Sequence, residues 1–305
     1  MVSRFRGQFM SKRSVTVLMG GPDAERDVSI SSGIAVTKAL QQSNKFDVKS
    51  MIIDTPTLQE IENIKSDVIF PVLHGPFGEG GPLQELLEVA GKTFVGSSSD
   101  VATTAMDKEA TKQIALQLGI QTPHWCIVST NSLPTINPPL VLKPIDDGSS
   151  IDIFICMHQE DVESHVQSLL QNRSHILAET YIKGREVTVG IICGKALPIV
   201  EIIPPADLQS YDFEAKYERE DTQFIIDPDL PSNSCVASAL DLYKKMGIRD
   251  IARVDFILNE NGAWLLELNT MPGFTNHSLV PMAAKQSGIE MPELCTMLVD
   301  SATTS

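Results

Sequence analysis

The segment 252-ARVDFILNENGAWLLELNTMPG-273 decides how the second half of this chain folds. Side chains on a strand alternate between two faces, so Val254 and Phe256 read as core while Arg253 and Asp255 read as the opposite face. Asn259 to Ala263 supplies a short turn, with Gly262 suited to a positive φ, and the whole reads as a β-hairpin. Folding the chain about Asn261 sets Asp255 opposite Glu267 and Arg253 opposite Asn269. Like charges directly opposite destabilise a hairpin by a fraction of ~1 kcal/mol in water and by more when buried. A compensating cation is therefore expected. Asp, Glu and Asn oxygens suit a hard one such as Mg²⁺, usually held together with phosphate. An exposed acidic hairpin with Arg253 as internal counter-ion reads equally well from these residues alone.

Upstream of the hairpin, EVTVGIICGKALPIVEIIP reads as strands with turn signals, consistent with antiparallel pairing. The following PPADLQSYDFEAKYEREDTQFIIDP is long, charged and poorly periodic, the kind of loop that is often functional. The amino-terminal part has a different rhythm. SVTVLMGG, FDVKSMIID and SDVIFPVLHG read as strands, the first and third ending in glycine-rich turns. Helical spacing follows at Ile30, Ile34, Ala35, Ala39 and Leu40, and again in PLQELLEVA, which Gly91 stops. This alternation implies a mostly parallel sheet covered on both faces. Ligands then gather at the carboxyl ends of strands, here Gly20 to Asp27 and His74 to Gly81. A helix near 107–118, the strand LVLKP, the loop DDGSS, the helix QEDVESHVQSLLQ and the strand HILAETYI occupy the middle.

Composition narrows the function classes. At 305 residues, 42% hydrophobic and 21% charged, the chain can build two or three packed units. A formal charge of −15, from 24 basic and 39 acidic residues, argues against a nucleic-acid surface and favours small-molecule partners. No apolar run approaches the ~20 residues of a membrane helix. The five cysteines are scattered without a CxxC, which suits a reducing cytoplasm and indicates neither a disulfide framework nor a zinc site. Residues 1–13 carry four basic groups and no acid and read as a disordered tail.

Three lysines stand where a phosphate site would want them: Lys108 at a helix start, Lys143 at a strand end and Lys216 in the charged loop. Gly148-Ser149-Ser150 resembles a turn that covers phosphate with backbone N–H groups and hydroxyls. Neither GxxxxGK[ST] nor a dinucleotide GxGxxG is present.

The order of these pieces is itself informative. GGPDAERDVSISSG, LHGPFGEGG, MDK, LVLKPIDDGSS, ETYIKGREVTVG, YDFEAKY, ARVDF and LLELNTMPGFTNHSLVPM closely resemble the D-alanine:D-alanine ligase family of ATP-grasp enzymes, from about Ser14 to Leu298. The resemblance implies an α/β fold: a parallel amino-terminal α/β domain, residues 14–105, then two α+β ATP-grasp subdomains, 106–184 and 185–305. It implies a cytoplasmic homodimer that ligates two D-alanines with ATP for peptidoglycan synthesis, with two Mg²⁺ (or Mn²⁺).

Carried onto these residues, the resemblance places Lys108, Lys143 and Lys216 at the ATP phosphates. Glu179, Tyr181 and Ile182 are expected at the adenine, and Glu186 at the ribose. Asp255, Glu267 and Asn269 are the implied metal ligands. Glu25 would take the first substrate's ammonium near His74, Arg253 and Gly273 the oxyanion, and Ser278 with Leu279 the second carboxylate at a helix start. Glu25, Ser149 and Tyr217 would form a set bridging the domains. Two departures stand out: the family usually has an acidic residue where Gly80 stands and a glycine where Asp152 stands, which adds charge beside the phosphate-covering turn. D-Alanine:D-lactate or D-serine ligation, or a regulator that binds nucleotide without catalysis, are the rival readings.

Overall fold

The computed structural model describes residues 12–148, 152–205, 219, 221–230, 234–275 and 277–304. Most of the expected basic tail lies outside these, as do Ser149, Lys216 and Tyr217.

The amino-terminal strands form where β-branched and apolar residues run together. β1 (Arg13–Gly20) lies between β2 (Phe46–Ile53) and β3 (Val68–Pro71), parallel to both, and β4 (Thr93–Phe94) continues the sheet beside β3. Helix α1 (Arg26–Ser43) crosses from β1 to β2 and ends at Asn44, which takes the left-handed φ of 56° that asparagine tolerates. It packs closely because of Gly33, where a Cβ would lie 2.6 Å from the Met19 side chain. The chain leaves β1 toward one side and enters β3 on the other. The sheet therefore has its switch point at the carboxyl ends of β1 and β3, where the sequence placed its two glycine-rich turns.

The second sheet, ordered β5 (Trp125–Ser129), β8 (His175–Thr180), β6 (Leu140–Lys143), β7 (Phe154–Cys156), is antiparallel and buries one face against α7 (Gln159–Leu169). Helix α6 (Lys108–Gln117) starts at Asp107, whose carboxylate accepts the Ala110 N–H at 2.9 Å. The third sheet centres on β9 (Arg185–Ile192), with β11 (Val200–Ile203) on one side and the hairpin of β13 (Ile251–Asn259) and β14 (Gly262–Asn269) on the other. Helix α9 (Leu279–Gln286) follows the hairpin. Helix α10 (Met291–Ser301) then brings Leu294 and Leu298 into the same core as Val15, Val17 and Phe70, and β15 (Thr303–Thr304) pairs with β4.

Three expectations need correcting. The hairpin pairs Arg253 with Asn269 and Asp255 with Glu267 as expected, but from Phe256 onward the partners slip by one, to Leu265, Trp264 and Ala263. The loop is thus Glu260-Asn261, with Gly262 at φ 123°, and Leu266 is a bulge. The charged loop is also not wholly irregular, since β12 (Gln223–Ile226) pairs with β11. Finally, HGPFGEGG is more than a turn: α3 (Gly75–Glu79) occupies it before α4 (Pro82–Val89).

Candidate active site

The bulge explains how one strand can face two ways. Ala263, Leu265 and Leu268 are buried, so the buried face changes parity at Leu266, and Leu266 and Glu267 both line the cavity between the second and third sheets. Lys143, Glu179, Tyr181, Ile182, Glu186, Arg253 and Asp255 line that cavity too, with a largely apolar floor that includes Val141, Ile155 and Ile257. The Tyr181 N–H is bonded to the Pro139 carbonyl at 3.1 Å, so the group Tyr181's backbone can offer a ligand is its carbonyl. A second cavity of about 340 Å³ opens at the switch point of the first sheet and is lined by Glu25, His74, Glu79, Arg253, Asn269, Gly273, Ser278 and Leu279. Arg253 and Leu279 belong to both walls.

The hairpin carboxylates are matched by cations of the site itself. Arg253 forks onto Asp255, Nε to Oδ1 at 3.0 Å and Nη2 to Oδ2 at 2.8 Å. The Thr188 hydroxyl donates to Asp255 Oδ1 at 2.5 Å, and the Asn269 amide nitrogen donates to Asp255 Oδ2 at 3.2 Å. Lys108 approaches Glu267 at 3.5 Å and donates to the Asp147 carbonyl at 2.6 Å. The internal counter-ion reading of Arg253 is therefore right as geometry, though not as an exposed hairpin: Asp255 is buried.

Lys143 and Glu179 meet at 2.5 Å, and a third member that the sequence reading passed over, Lys112, stands 2.7 Å from the other Glu179 oxygen. The same ammonium donates to Thr122 Oγ1 at 2.7 Å. Burial would raise the Glu179 carboxyl, but the two ammoniums outweigh it and hold it below the usual range. Burial, relieved by Glu179 and reinforced by Lys143, pushes the Lys112 ammonium down to about 8.

At the second cavity Glu25 is buried, and a Cβ on Gly148 would come within 3.0 Å of its Oε2. Gly148 therefore lies against the Glu25 carboxylate at the start of α1. The Ser278 hydroxyl, ahead of α9, accepts the Thr275 N–H at 2.9 Å. A Cβ on Gly273 would lie 2.8 Å from that hydroxyl, so Gly273 keeps its backbone against Ser278. The departure at 152 is accommodated twice over: Asp152 has φ 59°, the left-handed region that favours glycine and admits Asp, and its carboxylate pairs with Arg173 at 2.8 Å. Arg173 also holds Asp147 at 2.6 Å, so one guanidinium is shared between the two carboxylates. At Gly80 a Cβ would meet the Pro76 carbonyl at 2.3 Å, so an acidic residue there needs a different α3 turn.

Glu79, quoted within its motif but not singled out as a site residue, is 6% exposed and accepts the Met271 N–H at 3.3 Å. Burial, helped by the Glu25 carboxylate, pushes its carboxyl up to about 8. His74 donates from Nδ1 to the Met271 carbonyl at 3.0 Å, and its Nε2 is buried with no partner among the described residues. Burial and Arg253 push this imidazole down to about 4, so it is neutral. These two groups set opposite pH dependences. Between the ordinary values and the folded ones, Glu79 takes up a proton on folding from 4.5 to 8 and His74 releases one from 4 to 6.5. They offset each other between 4.5 and 6.5. From 6.5 to 8 Glu79 acts alone, and stability is expected to fall with rising pH by at most about 1.4 kcal/mol per unit. Denaturation midpoints of Glu79→Gln should lose that fall and show the rise due to His74 below 6.5; an unchanged profile would show that Glu79 is not protonated in the folded chain.

The family model described as D-ala D-ala ligase C-terminus matches residues 118–300, and D-ala D-ala ligase N-terminus matches 55–97. The chain is 35% identical to the D-alanine–D-alanine ligase of Aquifex aeolicus over 93% of this chain and 99% of that one. To the one from Bordetella petrii it is 38% identical, over 99% and 95%. Among solved structures it is similar to D-alanine–D-alanine ligase from Bacillus anthracis complexed with ATP, with TM-score 0.83 and 29% identity over 96% of this chain and 97% of that one. The VanG D-Ala:D-Ser ligase from Enterococcus faecalis shares the fold, with TM-score 0.80 at 24% identity over 95% and 99%.

Proposed function

Because the chain belongs to the D-alanine:D-alanine ligase family, we propose that its two adjoining cavities take ATP and two D-alanines and join the latter into D-alanyl-D-alanine. The observation that carries this is the shared wall: Arg253 lines both cavities, so a phosphate from one and a carboxylate from the other meet at one guanidinium. ATP acts as a substrate. Glu179, Tyr181 and Ile182 hold its adenine, Glu186 its ribose, and Lys108, Lys143 and Lys216 its phosphates.

The first D-alanine docks its ammonium on Glu25 beside the neutral His74. Its carboxylate oxygen attacks the γ-phosphorus, ADP leaves, and an acyl phosphate results. Arg253 and the Gly273 N–H stabilise the charge that develops, as positioned donors do in acyl and phosphoryl transfer. The second D-alanine sets its carboxylate on Ser278 and the Leu279 N–H at the start of α9. Its amine then attacks the acyl carbon, phosphate departs, and the amine's proton is released. Glu25 with Ser149 and Tyr217 ties the two halves together during these steps.

The Asp255, Glu267 and Asn269 oxygens form a hard donor set and suit two Mg²⁺ or Mn²⁺. Bound there, such ions neutralise and orient the terminal phosphates. We also assign the units 14–105, 106–184 and 185–305, a homodimer, and a cytoplasmic place in peptidoglycan precursor synthesis. Among the described residues no helix is long and apolar enough to cross a membrane.

Phosphate release from Mg-ATP, measured with D-alanine, L-alanine, D-serine, and D-alanine plus D-lactate, with products identified by mass, tests this function. Release that requires D-alanine, with a dipeptide product, is expected. Release only with D-lactate or D-serine as acceptor would change the substrate assignment, and nucleotide binding without release would overturn catalysis.

A further inference from the structure

A buried cluster of two lysines and one carboxylate carries a surplus positive charge, and apolar residues in such places are commonly as stable or more so. In this chain Lys112 is fully buried and lines neither cavity, whereas its partners Glu179 and Lys143 line the nucleotide cavity. Helix α6 supplies Lys108 and Lys112 one turn apart. Lys108 is directed to Glu267 and the Asp147 carbonyl, and Lys112 to Glu179 and Thr122. Thr122 in turn donates to the Leu265 carbonyl at 2.9 Å, which anchors the ammonium's hydrogen-bond partner to the strand that carries Glu267.

Lys143 is held by Glu179 at 2.5 Å, and to reach a phosphate it must loosen that contact. With Glu179 paired to Lys143 alone, the move would strand a buried carboxylate. We propose that Lys112 is a positioning residue for nucleotide phosphates: it keeps Glu179 paired when Lys143 turns from the carboxylate to phosphate. The surplus charge of the cluster is then the charge that the phosphate neutralises. This inference rests on the ATP reading above.

The test compares binding of Mg-ATP with binding of adenosine by calorimetry, because adenosine fills the same cavity without drawing Lys143 away. In Lys112→Met the preference for ATP over adenosine should shrink roughly ten- to hundred-fold, with adenosine affinity changed far less. Lys112→Arg, which keeps the charge, should retain the preference. Lys112→Met combined with Glu179→Gln should recover it, since no carboxylate is left to strand; this double variant also carries the test if Lys112→Met alone does not fold. Equal loss of ATP and adenosine affinity, or no recovery in the double variant, would make Lys112 a structural prop and overturn the proposal. Failure of the unaltered protein to bind ATP at all would instead overturn the underlying reading.

Discussion

Replacing Arg253 with methionine is expected to lower kcat by about a hundred- to a thousand-fold, the usual consequence of losing one donor to a developing oxyanion. The same substitution strands Asp255, which is 10% exposed at its side chain and loses a two-pronged ion pair. Breaking a buried pair from one side costs about 3–5 kcal/mol. Activity and stability should therefore fall together in Arg253→Met. Asp255→Asn in the same chain removes the stranded charge and should return much of the melting temperature without returning turnover. Lysine at 253 keeps the charge but not the planar fork that engages both Asp255 oxygens, so it should remain strongly impaired. Steady-state phosphate release alongside thermal melts of these variants separates the two effects. Turnover within a few-fold of the unaltered protein in Arg253→Met would remove Arg253 from the reaction.

Removing divalent cations has the other large effect. In excess chelator, phosphate release should cease, and it should return with added Mg²⁺ or Mn²⁺. The structure adds a detail that can be measured. The Glu267 side chain is 21% exposed, with Lys108 at 3.5 Å, whereas the Asp255 side chain is 10% exposed and is held by Arg253, Thr188 and Asn269. Glu267 is thus the carboxylate that a cation arriving from solvent reaches more easily. Glu267→Gln should raise the Mg²⁺ concentration needed for half-maximal rate by more than about tenfold, because it replaces a charged oxygen ligand with a neutral one. Full turnover in chelator would exclude Asp255, Glu267 and Asn269 as metal ligands for this reaction.

Much of this arrangement can be read from the chain. Strand alternation and a turn centred on Asn261 pair Asp255 with Glu267, and the structure keeps that pair because the bulge offsets the one-residue shift of the tighter loop. The alternation of strands and helices suffices to locate the cleft beyond β1 and β3, where Glu25 and His74 line it. The bulge at Leu266 is not legible in the same way, because an extra residue in a strand changes backbone spacing without a distinctive side chain. Lys112 escapes because a lysine on a helix ordinarily faces water, and only the tertiary fold brings Glu179 over it. Glu79 escapes for a related reason: between glycines it looks like part of a turn, and its burial comes from the segment near Met271, almost two hundred residues away. Asp152 is the reverse case, since a sequence pattern flags it as a misplaced charge while the backbone dihedral and Arg173 show how it is accommodated.

The late arrival of α10 and β15 bears on how the chain assembles as it is synthesised. β4 emerges with Phe94 ready to pair, yet its outer neighbour Thr303 follows about two hundred residues later. Helix α10, which packs on α1 and adds Leu294 and Leu298 to the core that holds Val15 and Val17, is similarly late. The first sheet to leave the ribosome therefore waits with an apolar face and an open edge until nearly everything else has been made. Contacts so distant in sequence slow folding and lengthen exposure to aggregation. Expression at low temperature, or with chaperones that shield nascent apolar surface, should accordingly raise the soluble yield of this chain more than any substitution inside the first sheet.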